Sequence, residues 1–115
     1  DHVLPDDKPA AEYIEAFERL RDPSHHQAFT EYEWRGMYLD AGLTVDFSEL
    51  MAREAKMIPW AERQGCTPEV IERLQVMMVQ APAAVAEFYE MKCAGTADAG
   101  FSHRYVLIAG TKPKV

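Results

Sequence analysis

Glycine is scarce and scattered: the chain has six, at positions 36, 42, 65, 95, 100 and 110. No GxGxxG, P-loop or GxSxG can be written with that spacing, which excludes a self-contained phosphate cradle or nucleophile elbow within these residues. Cysteine is also rare. Cys66 and Cys93 stand too far apart for a CxxC motif and are too few for a disulfide scaffold, so reduced thiols of a cytoplasmic protein are expected. No apolar run approaches the roughly 18 residues of a membrane span, and no basic-then-apolar leader opens the chain. Positive charge is in the minority, with 12 Lys and Arg against 19 Asp and Glu and a formal net charge of −7. Nucleic acid and anionic membranes, which are gripped by clustered cations, are therefore not expected as partners.

What is present is ordinary globular material. At 115 residues, 48% hydrophobic and 27% charged, the chain has the length and composition of one folded domain over residues 1–115. It lacks an initiator Met and begins on "DHVLPDD", which reads as the polar exit of a strand, so a fragment is expected.

Helical periodicity is clear in three places. Tyr13, Ile14, Phe17 and Leu20 follow Pro9 at helical spacing and predict a helix over about 9–21, stopped by Asp22-Pro23. Thr30 with Glu33 has capping-box spacing and opens a second helix over about 30–41. Its buried face would be Trp34, Met37, Tyr38 and Ala41, and Gly42 would close it. Thr67-Pro68-Glu69 starts a further helix with the stripe Ile71, Leu74, Met77, Met78 and Ala81. Pro59-Trp60 suggests a short helical turn that Gly65 ends. From Leu43 the pattern alternates with period two, predicting a strand to about Met51. "EFYEMKC" and "FSHRYVLIAGTK" read as two more strands joined by a small-residue turn.

The polar stretch "RDPSHHQ", Arg21 to Gln27, places two of the four histidines behind an Asp-Pro-Ser turn. Asp22 with His25 or His26 has the spacing of one helical turn, but adjacent histidines on a helix diverge by about 100° and rarely share an ion, so no metal site is assigned. Two readings stay open. Asp22 or Ser24 caps the turn and the histidines are solvated, or a rigid Pro-centred loop aims His25 and Arg21 into a cleft where an imidazole relays a proton. His103 and Tyr105 are expected to be structural, and Trp34 and Met77 to be core before they are anything else.

Taken in order, "DHVLPDD", "RLRDPSHH", "TEYEWRGMYLDAGL", "PWAERQGCTPEVIERL", "APAAVAEF" and "YVLIAGTKP" resemble the C-terminal half of class I methyltransferases, in particular the type-11 group similar to ubiquinone/menaquinone-biosynthesis methyltransferases. The resemblance implies a Rossmann-like α/β sandwich with a mixed sheet. Asp1-His2 would leave its fifth strand, the Leu43 stretch would be its sixth, and Tyr105 to Lys112 its antiparallel seventh. The inserted helices would help wall the acceptor pocket. It further implies S-adenosylmethionine (SAM) as cofactor of the intact protein, and a small, apolar methyl acceptor. The glycine-rich half of that family is absent here, so no cofactor-contacting residue is assigned and this piece alone is expected to be inactive. Methyl transfer needs positioning and, for some acceptors, a base. His25 is the expected base or acceptor-orienting group, with His2, Arg21, Trp34 and Met77 on the substrate side. The alternative is a noncatalytic α/β module that oligomerises through an exposed sheet edge, and self-association is expected in either case.

Overall fold

The structure, a computed structural model, describes residues 2–113. Its elements are β1 (Val3–Leu4), α1 (Lys8–Arg21), β2 (Phe29–Thr30), α2 (Glu31–Asp40), β3 (Phe47–Lys56), α3 (Met57–Arg63), α4 (Pro68–Val79), α5 (Ala83–Phe88) and β4 (Gly100–Ala109). β1 and β2 run parallel, β3 and β4 antiparallel, and a single antiparallel bridge from His2 to Tyr105 joins the two pairs. The strands therefore lie in the order β3, β4, β1, β2, a mixed sheet in which β4 is antiparallel to its neighbours.

Local chemistry explains the helices. Asp7 caps α1 by accepting the Ala10 N–H, and proline occupies the first turn, where its missing N–H costs nothing. Thr30 and Glu33 form the reciprocal capping box that starts α2, and Thr67 accepts the Val70 N–H at the start of α4. Gly42 and Gly65 take left-handed φ values of 82° and 80° just past α2 and α3, where a side chain would be strained.

α1 supplies the centre of the core. Its Ile14 and Phe17 are 1% exposed, and Phe17 stacks on Trp60 at 5.5 Å while meeting Tyr89 and Phe101 edge-on. Trp60, Tyr89 and Phe101 arrive from α3, the end of α5 and β4, so one aromatic cluster fastens the helical layer to the sheet.

Several expectations need correction. β3 begins four residues later than Leu43 and runs to Lys56, because ten consecutive partners on β4 hold the helix-favouring "MAREAK" extended. "EFYEMKC" is not a strand. Its start completes α5, and only a lone bridge from Lys92 to Gly100 follows. β4 starts at Gly100 rather than Tyr105, and Lys112 lies outside it. The expected buried face of α2 is not buried: Met37 and Ala41 are exposed, and Trp34 and Tyr38 are half-buried. Asp1 lies outside the described residues.

Candidate functional site

The segment after α1 is a stapled loop. Asp22 accepts hydrogen bonds from the Ser24 hydroxyl at 2.6 Å and its N–H at 3.0 Å, and the His25 N–H donates to the Asp22 carbonyl at 2.9 Å. The Ser24 hydroxyl and then its N–H hold the Asp22 carboxyl below the usual aspartate range. At the far end of the loop, the Ala28 N–H donates to Glu15 Oε1 at 3.2 Å. Glu15 also meets His25 Nε2 at 3.4 Å and Arg19 at 3.3 Å. The Asp-Pro-Ser turn thus fixes where His25 stands, as the rigid-loop reading requires.

His25 and His26 form one wall of a cavity of about 320 Å³, together with Gln27, Ala28, Phe29, Trp34 and His2. Trp34 packs edge-on against Phe29 at 6.0 Å, and its indole N–H is buried with no hydrogen-bond partner among the described residues. The cavity therefore combines aromatic surface with three imidazoles, of which His2 and His25 lie 5.9 Å apart between ring centres. Such a mixture of apolar walls and a few convergent polar groups is typical of small-molecule sites.

Beneath His2 lies a second polar group. Glu18, 5% exposed, accepts the Tyr89 hydroxyl at 2.6 Å and lies 2.8 Å from His103 Nε2. His103 in turn stacks on His2 at 5.2 Å. Burial pushes the Glu18 carboxyl up, but the hydrogen bond and charge of His103 and the Tyr89 hydroxyl bring it below the ordinary glutamate value. Burial lowers His2, against the pull of Glu18, and raises the Tyr89 phenol well above its usual value, with Glu18 adding to the rise. His2, Glu18 and His103 bring one ligand atom each within 4.8 Å of one another. This grouping shares no residue with the pairing of Asp22 with His25 or His26 that was weighed from spacing and not assigned as a metal site.

Of the five residues expected at the site, His2, His25 and Trp34 meet at the cavity. Arg21 and Met77 do not. Arg21 donates to the Trp60 carbonyl at 2.9 Å and lies over the Trp60 ring at 4.3 Å, tying α1 to α3. Met77 belongs to a separate groove with Leu20, Glu69 and Arg73, and its carbonyl accepts the Tyr13 hydroxyl at 2.7 Å. The inserted helices α3, α4 and α5 likewise contribute no residue to the cavity wall, which comes from the entry to β1, the loop after α1, β2 and α2. Sequence reasoning missed Glu18 and Tyr89. The available signal was the position of Glu18 beside Ile14 and Phe17 in the apolar stripe of α1, where an acid requires a buried partner.

Comparison with solved structures decides the fold. A candidate methyltransferase from Bacillus halodurans superposes with a TM-score of 0.89 at 20% identity, over 99% of this chain and 54% of that one. The chain thus has the fold of part of that candidate methyltransferase. The YcgJ protein of Bacillus subtilis superposes with a TM-score of 0.88 at 22% identity, over 100% of this chain and 50% of its own. The chain therefore spans about half the length of the solved structures it matches. No protein-family model matches the sequence, and no curated protein does. No helix among the described residues is long and apolar enough to cross a membrane.

Proposed function

We propose that these residues are the C-terminal, acceptor-side portion of a SAM-dependent methyltransferase of the type-11 kind, acting in the cytoplasm on a small, apolar molecule. The observation that carries this reading is the cavity of His2, His25 and Trp34, standing beside the parallel pair β1 and β2 in a fold otherwise seen in a candidate methyltransferase.

The residues present do not themselves fit the cofactor. None of the six glycines follows β1 or opens α1, so the chain has no backbone cradle after its parallel strand. We assign that cradle to the other half of the intact protein and expect the present piece to be inactive alone. The acceptor side is derived from this chain's own groups. With Nε2 of His25 directed at Glu15, the ring's other nitrogen is left to take a proton from an acceptor in the cavity. Phe29 and Trp34 offer apolar faces to the acceptor's body. The test is titration of the full-length protein with SAM, followed by a screen of apolar hydroxylated and carbon acceptors. Saturable SAM binding with turnover of one acceptor class is expected, and a full-length protein with no SAM affinity overturns the reading.

The sheet edge favours a second property. β3 has a neighbour only on its β4 side among the described residues, and Phe47, Leu50 and Met51 are exposed along it. Unpaired edges recruit strands. Self-association through β3, checked by light scattering over a range of concentrations, is the expected behaviour, and it would also serve a noncatalytic module of this fold.

A further inference from the structure

Glu18 has no cationic side chain to answer it. Among the described residues its hydrogen-bond partners are the Tyr89 hydroxyl and His103, while the nearby guanidinium of Arg19 is spent on Glu15 and that of Arg21 on the Trp60 carbonyl. A buried carboxylate without countercharge is costly, so the compensation must come from a proton on an imidazole or from an ion. Three rigid elements distant in sequence converge there. His2 comes from the entry to β1, Glu18 from α1 and His103 from β4.

We propose that His2, Glu18 and His103 bind a first-row divalent metal ion such as zinc, cobalt or iron(II). Donors bound at about 2.1 Å to one ion lie roughly 3 to 3.4 Å apart, close to the spacing between Glu18 Oε1 and His103 Nε2, which is 2.8 Å. His2 must draw in, and it is the member with room to do so, being half-buried on the cavity wall. Two imidazoles and one carboxylate suit zinc, iron(II) or cobalt(II), whereas calcium and magnesium favour all-oxygen sites. The Tyr89 hydroxyl orients the carboxylate from behind, as outer-sphere partners of metal ligands commonly do. Three protein ligands leave coordination positions open, and the cavity that His2 borders is where a ligand's oxygen would reach them.

The site stands on its own geometry, whether or not the protein transfers methyl groups. The experiment uses untagged full-length protein stripped with a chelator and titrated with cobalt(II), followed by zinc competition. Visible d–d absorption saturating at one ion per chain is expected, with affinity lowered at least ten-fold in Glu18→Gln and in His103→Gln. Should those buried variants fail to fold, His2→Asn, which alters the least buried ligand, carries the same test. Wild-type protein without a saturable cobalt band, or undiminished affinity in a folded variant of any of the three, overturns the site and assigns the countercharge to an imidazolium. SAM binding by the metal-free protein is measured separately, so failure of this site and failure of the methyltransferase reading are distinguishable.

Discussion

Glu15 and Glu18 stand one turn apart on α1, and each meets an imidazole, yet the two pairs are built differently. Glu18 and His103 are 2.8 Å apart with side chains 6% and 9% exposed, and His103 is locked in a strand. Glu15 and His25 are 3.4 Å apart with side chains 12% and 16% exposed, and His25 rides on a loop beside the cavity. The deep pair is held from every side by Tyr89, Trp60 and Phe101. The shallow one is stapled only at its ends, by Asp22 and Ala28. The contrast separates tasks: a deep pair can hold a charge or an ion in place, whereas a shallow pair can exchange a proton with something that enters from solvent.

The sharpest way to break this comparison is to delete each acid in turn. Glu18→Ala strands the Tyr89 hydroxyl and His103 in the core, and a loss of about 3 to 5 kcal/mol is expected in urea unfolding of the full-length protein. Glu15→Ala should lose less, about 2 kcal/mol, because Arg19 is free to turn to water and only the buried Ala28 N–H is left without its acceptor. Equal losses would erase the distinction between deep and shallow. Next in size is the effect on turnover. If His25 is the base, His25→Ala lowers turnover of the full-length enzyme about 100-fold between pH 6 and 9, measured with a saturating acceptor, while leaving its melting temperature nearly unchanged. Unchanged turnover would return the loop to a connector.

A smaller effect isolates the rear support of the deep pair. Tyr89→Phe keeps the aromatic packing and removes one hydrogen bond to a carboxylate, so a loss of about 2 kcal/mol in denaturant stability is expected. The smallest concerns the loop itself. Asp22 has a folded-state pKa below its ordinary value of 3.8, so its contribution is complete above that value and disappears as pH falls through the lower, folded one. The amide signal of Ser24, which donates to that carboxylate, should therefore report an acid transition below the ordinary aspartate value.

Much of this architecture was legible in the order of residues, and the exceptions have physical causes. α1 and α4 announce themselves because each joins a cap, a first-turn proline and an apolar stripe, three signals that agree. β3 hid its second half because Ala52 to Lys56 prefer a helix when judged locally, and only pairing with β4 keeps them extended. "EFYEMKC" misled because its aromatics look β-forming, although Tyr89 is used as a core residue at the end of a helix and Glu90 takes a left-handed turn. At the site, His2, His25 and Trp34 could be grouped through the family resemblance. Arg21 and Met77 could not be separated from them, since sequence position does not say that one side chain turns towards Trp60 and the other's carbonyl towards Tyr13. Glu18 was hidden inside a run of charged residues, "ERLR", that reads as solvated unless its place on the helix is plotted.

The ladder between β3 and β4 pairs ten residues one to one, placing His103 opposite Arg53. A slip of a single position would turn every side chain of β4 to the opposite face, taking His103 away from Glu18 and leaving the carboxylate in the interior without its imidazole. The buried acid therefore adds a polar cost to a misaligned ribbon at one point, over and above the loss of apolar packing.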